Sequence, residues 1–439
     1  MNLNKVIYQI FFRTFTPEGT IKGAEKMIPY LASLGVDILY ITAFCEADAD
    51  GDINHWSERQ KASGIKNPRN PYRQADYFKI DEEYGTDEDY ISFVKTAHGY
   101  NMEVMHDLVF MHCGPDAVFI GDHPDYVQRD ENGNILYNDY HFPIINYESR
   151  GARDYLIDNM KYWVEKFDID GYRCDVGDEV PLDFWDEAVS AVKKIKPEFT
   201  MLNEGIRPEY LEKVFDINYN FPWNYSVNDV IMGEKPATCI VEQDTDNRKR
   251  YGDYPFVVLR GIDNHDIAND AYDKRVDAVK PREAAEAGHL LNFLIDGVPF
   301  LYNGNEIADG TRHSIWGNRL HTPQFVINWS EGYTVKGRER TRFLKDLIAY
   351  RKQNPSLLNG KTEWIANSAS ESLLTFTREL DDKNIIVIIN MSESNTSSEI
   401  NVATGKDTKE AMCRRAVYKK ETDKLKAEIG PWGFIVLEY

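Results

Sequence analysis

Eight short apolar segments punctuate residues 6 to 304, and stretches with helical spacing lie between most of them. They read VIYQIFF, VDILYIT, MEVMHDLVF, GYRCD, FTMLNE, VFDINYNF, PFVVLRGID and GVPFLYNG. A parallel pair of strands needs a crossover of a dozen or more residues, usually a helix. Eight strand-like runs in such alternation predict an α/β chain closed into a (β/α)8 TIM barrel. The helical stretches carry the expected period. Leu156, Met160, Trp163 and Phe167 share one face, and Ile21, Ile28, Leu31 and Leu34 another, with Gly35 as the predicted stop.

The rhythm lapses twice. From Met111 to Glu148 it gives way to Gly, Pro, Asp, Asn and aromatic residues, a long excursion that predicts a short inserted subdomain after the third strand. From Asn354 onward, SLLTFTREL, NIIVIINMS, SEINVAT and GFIVLEY are strand-like and separated by turns, without helical stretches between. The predicted organisation is a barrel over 1–353 containing the insert 111–148, then a C-terminal antiparallel β-sandwich over 354–439.

Composition narrows the partners. The 439 residues carry 51 Lys and Arg against 72 Asp and Glu, a net charge of −21 that repels phosphate backbones and acidic membranes. Nucleic acid is therefore not expected as a partner, whereas neutral sugars are compatible. No apolar run approaches the roughly 18 residues of a membrane span. The opening MNLNKVIYQIFFRTF lacks the pattern of a secretory leader, so a cytoplasmic location is expected. Five scattered cysteines with no C-x-x-C pair read as free thiols.

Chemistry gathers at the strand ends. In GYRCDVGDEVP, Arg173 and Asp175 are two apart and face the same side of a strand, into the barrel mouth. A guanidinium within reach lowers a carboxylate pKa and orients it. Glu204 closes FTMLNEG, Asp266 closes GIDNHD and Asp107 lies in MEVMHDLVF, so four acids converge on one rim. Like charges that close are costly, and one ionised with one protonated carboxyl is the pair that glycoside hydrolysis needs.

In that order and on those strand ends, DLVFMHCG, GYRCDVGDE, LNEG and IDNHD resemble the signature regions of the α-amylase superfamily of retaining glycoside hydrolases, glycoside hydrolase family 13. NPYRQADYFKIDEEYGT, GVPFLYNGNE and GPWGFIVLEY extend the likeness over almost the whole chain. The resemblance implies cleavage of α-glucosidic bonds in α-glucans or maltooligosaccharides through a covalent intermediate. It implies Asp175 as nucleophile, Glu204 as general acid/base and Asp266 as transition-state stabiliser. By the same matching Tyr72, Asp107, His112 and His265 contact the sugar, with Arg173 beside them in the binding set. Trp56, Trp223 and Trp316 read as core, with outer sugar sites as the alternative.

Two positions depart from the family pattern. Many members have Asn just before the His of the first region, where it helps bind a structural calcium, and here that residue is Met111. A thioether is a poor ligand for a hard cation, so no metal ligands are assigned, no cofactor is expected and the customary calcium is expected to be absent. The run Asp48, Asp50, Asp52 reads as a solvated acidic turn. After the nucleophile, Asp178 and Glu179 stand where starch-acting relatives often carry Lys-His, which predicts a different acceptor side. A transglycosylase or glucanotransferase, an α-1,6-glucosidase and a non-catalytic sugar-binding or interaction protein are the competing readings. The complete trio of acids counts against the last.

Overall fold

Every barrel strand alternates between a residue facing the barrel axis and one facing the surrounding helices, and this alternation carries polar side chains to one rim. The strands are β1 (Ile7–Ile10), β2 (Ile38–Ile41), β3 (Glu103–Leu108), β4 (Gly171–Cys174), β5 (Thr200–Asn203), β6 (Ile217–Asn218), β7 (Leu259–Arg260) and β8 (Val298–Tyr302). The structure is a computed structural model that describes residues 5–252, 257–269, 272–317, 325–402 and 408–439. The barrel strands form one parallel sheet in the order β6-β5-β4-β3-β2-β1-β8-β7. A parallel bridge from Asn218 to Val258 joins its two ends. All eight candidate strands contribute, although Pro255 and Phe256 of the seventh lie outside the described residues.

Ile7, Ile38, Tyr40, Met105, Leu202, Ile217, Leu259, Val298 and Phe300 fill the barrel interior as one apolar cluster. Tyr8, Leu39, Val104, Tyr172 and Met201, each next in sequence to an inward position, join the larger cluster between sheet and helices. Gly171 opens β4 because the strands crowd there: a Cβ would lie 2.6 Å from the Thr200 carbonyl oxygen. Sequence periodicity runs through residues 21 to 34, yet the helix is in two parts, Ile21–Glu25 and Ile28–Leu34. Pro29 sits in the first turn of the second part, where its missing N–H costs nothing. Gly35 ends that part at φ +102°, as expected.

Two excursions stand above the rim. After β2 comes an antiparallel hairpin, Cys45–Ala47 with Gln74–Ile80, whose connection holds the short helix Glu58–Ser63. After β3 the insert is tied by antiparallel bridges, His112 with Ile144 and Tyr137 with Pro143 among them. Beyond the helix Val335–Gln353 the chain forms a six-stranded antiparallel sheet. Its strands are β9 (Lys361–Trp364), β10 (Leu373–Leu380), β11 (Lys383–Asn390), β12 (Thr396–Ile400), β13 (Lys409–Lys420) and β14 (Leu425–Glu438).

The expected sandwich is one sheet bent on itself. The first part of β14 pairs with β12 and the last with β11, and between them Gly433 has no room for a side chain against the carbonyls of Arg414 and Arg415. Ile386, Ile388 and Ile435 of one half pack with Ile400, Leu425 and Ile429 of the other. Ala403 and Thr404 of the candidate strand SEINVAT lie outside the described residues.

Candidate active site

Arg173 is the hub of the rim. Its side chain is fully buried, and Nη1 donates to Asp107 Oδ1 at 2.7 Å and to Asp175 Oδ1 at 2.9 Å. Nη2 lies 2.7 Å from Glu204 Oε2, an ion pair outside hydrogen-bond geometry. Neighbouring strands deliver these groups: Asp107 is register partner of Arg173, and Arg173 of Leu202, two residues before Glu204. One cation therefore neutralises part of two buried carboxylates and a half-buried one, which alone would repel one another. Arg173 was expected among the sugar-contacting residues. Burial beneath its carboxylates makes it their counter-ion instead.

A relay of polar side chains forms the floor. Gln9 Nε2 donates to His265 Nδ1 at 2.7 Å, His265 Nε2 lies 2.8 Å from Tyr72 Oη, and Tyr72 Oη donates to Asp107 Oδ2 at 3.0 Å. Tyr40 Oη adds a second bond to that oxygen at 2.8 Å. The rings of Tyr72 and His265 stack 5.4 Å apart, 12° from parallel. Burial keeps His265 below its ordinary pKa despite Asp266 beside it, so the ring is neutral at neutral pH. Asp107 is fully buried and both its oxygens are engaged, so a sugar hydroxyl reaches it only by exchanging with Tyr40 or Tyr72.

The pocket above this floor is lined by Tyr72, His112, Asp175, Glu204, His265 and Asp266, with Ser57, Arg59, Asn70, Tyr140, Phe142 and Trp316 among its walls. The trio of acids proposed from sequence thus shares one cavity. His112 donates from Nε2 to the Tyr72 carbonyl at 2.8 Å and accepts at Nδ1 from Asn138 Nδ2 at 3.3 Å. Burial pulls its pKa down to about 4. Trp316 lines the pocket, whereas Trp223 is core beneath Arg260, and Trp56 is buried with Nε1 donating to the Asp50 carbonyl.

The carboxyls differ in their protonation. Burial raises Glu204; Arg173 and the Val176 N–H oppose this, while Asp266 and Asp107 push the same way. Burial also raises Asp175, with Arg173 opposing and Glu204 reinforcing, so the guanidinium does not outweigh desolvation as sequence reasoning expected. Burial pushes Asp266 up as well, yet His265 and Arg59 hold it below the ordinary carboxylate range. The three acids are thus held in unlike environments, the condition under which neighbouring carboxyls take different protonation roles.

Other residues escaped the sequence reading or were misread. Arg59, from the short helix above the rim, donates to Asp266 Oδ1 at 3.0 Å, and nothing in its local sequence marks it. Gln9 and Tyr40 were legible only as polar atoms at inward strand positions. Asp178, expected to face the acceptor, is turned inward and accepts from Asn203 Nδ2 and the backbone N–H groups of Ile206 and Arg207. Only Glu179 is exposed there, 3.4 Å from Arg207. The acidic run is solvated only at its far end: Asp48 is fully buried against Arg73, Asp50 pairs with His55, and Asp52 is exposed.

An eight-stranded parallel barrel whose acids converge at the carboxyl ends of its strands defines the class of (β/α)8 proteins with an acidic rim. The chain belongs to the α-amylase family: residues 6–143 and 133–342 match the family's description, "Alpha amylase, catalytic domain". It is 28% identical over 399 residues to an intracellular maltogenic amylase of Bacillus subtilis, covering 85% of this chain and 62% of that protein. It is 26% identical over 419 residues to a maltogenic α-amylase of Bacillus acidopullulyticus, covering 89% and 66%. The chain thus spans less than two thirds of the length of these relatives. Among solved structures, a maltogenic α-amylase from Thermotoga neapolitana aligns over 100% of this chain and 99% of its own, with a TM-score of 0.84 and 25% identity.

Proposed function

We propose that this chain hydrolyses α-glucosidic bonds of maltooligosaccharides or related α-glucans with retention of anomeric configuration. The observation that carries this reading is the meeting of Asp175, Glu204 and Asp266 in one pocket, the first two on Arg173 and the third on Arg59. In the first step Asp175 attacks the anomeric carbon while Glu204 protonates the departing glycosidic oxygen, leaving a glycosyl ester on Asp175. In the second, Glu204 takes a proton from water, and that water displaces Asp175. Asp266 gains most when the ring becomes oxocarbenium-like, so its contribution is larger in the transition state than in the ground state. Tyr72, His112 and His265 shape the wall against which the sugar ring lies.

The test is a product profile over maltooligosaccharides, isomaltose-type oligosaccharides, pullulan and starch, with the product anomer read by NMR. Cleavage of α-1,4-linked oligosaccharides giving the α-anomer is expected, and Glu204→Gln and Asp175→Asn each lower turnover by several orders of magnitude. The β-anomer, or wild-type turnover in either variant, overturns the mechanism. We further propose that turnover needs no calcium, because Met111 stands where the family's calcium-binding Asn is customary. Residence in the cytoplasm is supported by the likeness to a relative named as intracellular. Among the described residues no helix is long and apolar enough to cross a membrane.

A further inference from the structure

Asp175 and Glu204 sit on separate loops, and chemistry requires their relative placement to be held to a fraction of an ångström. The β4–β5 register ends at Cys174 and Asn203, with one further backbone bond from the Glu204 N–H to the Cys174 carbonyl at 3.0 Å. Beyond that bond, side chains tie the two loops together. Glu204 Oε2 accepts from the Val176 N–H at 2.8 Å, so the acid/base carboxyl is held by the nucleophile's loop. The reverse bond exists too. Asp178, on the nucleophile's loop, accepts through Oδ1 from Asn203 Nδ2 at 2.8 Å and through Oδ2 from the N–H groups of Ile206 and Arg207 at 2.8 and 3.2 Å.

These donors bracket Glu204 on both sides. The loops also approach so closely that neither tolerates a side chain at its glycine: a Cβ at Gly205 would lie 2.2 Å from Asp178 Oδ1, and one at Gly177 2.2 Å from Asn203 Oδ1. Val176, β-branched, is held at φ +43° and ψ +42°, where such residues are outliers. A strained residue persists only where its surroundings over-determine it. Trp185 Nε1 bonds the Gly177 carbonyl at 3.0 Å, and Tyr210 Oη the carbonyls of Asp178 and Val180 at 3.2 and 2.9 Å.

We propose that Asp178 is a positioning residue for the acid/base step: it locks the Glu204 loop to the Asp175 loop and so aims the Glu204 proton at the glycosidic oxygen. Asp178 is nine-tenths buried, lies outside the pocket lining and acts through Glu204. The inference rests on the assignment of Glu204 as general acid, made above.

Leaving-group dependence tests it. Fluoride departs without a proton, whereas a sugar alkoxide does not, and kcat/KM reports the first irreversible step, in which Glu204 serves as acid. Asp178→Ala should lower kcat/KM on a maltooligosaccharide about 100-fold, and on α-maltosyl fluoride less than about 3-fold. Asp178→Asn, whose amide oxygen still accepts from the Ile206 and Arg207 N–H groups, should recover to within about 5-fold of wild type on both. Asn203→Ala removes the side-chain donor to Asp178, together with its 3.1 Å bond to Asn218 Oδ1, and should give the same pattern, about 3- to 10-fold on the oligosaccharide alone. It carries the test should Asp178→Ala fail to fold. Equal losses on the two substrates, or no loss, overturn the proposal. Glu204→Gln is measured alongside: a strong leaving-group dependence there with none in the Asp178 and Asn203 variants refutes this inference alone, whereas none in Glu204→Gln removes the acid assignment and the inference with it.

Discussion

Arg59 reaches across the pocket mouth to Asp266, Nη2 to Oδ1 at 3.0 Å, so the acid assigned to stabilise positive charge itself carries a counter-ion. Removing that cation makes the ionised form of Asp266 less favourable and raises its pKa. Arg59→Ala should therefore move the titration of the Asp266 carboxyl upward, read by NMR of the labelled carboxyl carbon. A titration that stays in place shows that the pair plays no part in holding Asp266 ionised.

Arg173 cannot be replaced as easily. Arg173→Met leaves Asp107, Asp175 and Glu204 without their shared cation, and breaking a buried ion pair costs about 3–5 kcal/mol. Denaturant unfolding should show a loss of that size together with lost turnover. Near-wild-type stability would mean that the acids are neutral or solvated.

Away from the pocket, Glu306 gives the fold a pH dependence. Burial pushes its carboxyl from 4.5 up to about 7, although the Gly304 N–H and Tyr8 Oη favour the ionised form. A group whose pKa is raised on folding stabilises fully below its unfolded value, and that contribution is lost as pH climbs through the folded one. The gap corresponds to about 3 kcal/mol. The melting temperature should thus decline between about pH 4.5 and 7 from this source, and Glu306→Gln should flatten that part of the curve. An unchanged slope in the variant would assign the decline to other groups.

Met111 leads to a simple expectation for metal removal. Treatment with a chelator should leave melting temperature and turnover unchanged. A large loss, restored by adding calcium, would show that a cation binds through other ligands.

The barrel and the meeting of Asp175, Glu204 and Asp266 were legible because strand alternation and strand ends are local signals. The same reasoning failed one turn later. Val176 takes a left-handed conformation immediately after Asp175, so the side chains that follow no longer obey the two-residue alternation, and Asp178 turns inward. Arg59 was invisible for another reason: its approach to Asp266 spans 207 residues and depends on how the loop after β2 folds over the rim. That loop is fastened by Gln60 Nε2 to the Asn67 carbonyl and by Asn67 Nδ2 to the Trp316 carbonyl, contacts with no sequence period. The helix break at Pro29 was hidden by apolar spacing that runs through it.

The central claim is that Asp175 forms a covalent bond to the sugar, and trapping it is the most direct test. A 5-fluoro-α-glucosyl fluoride slows both steps but departs from the anomeric carbon readily, so the glycosyl-enzyme accumulates and can be digested and read by mass spectrometry. The label is expected on the peptide containing Asp175 and missing in Asp175→Asn. A label on Glu204, Asp266 or any other residue, in an enzyme that turns over α-glucosides, would contradict the account.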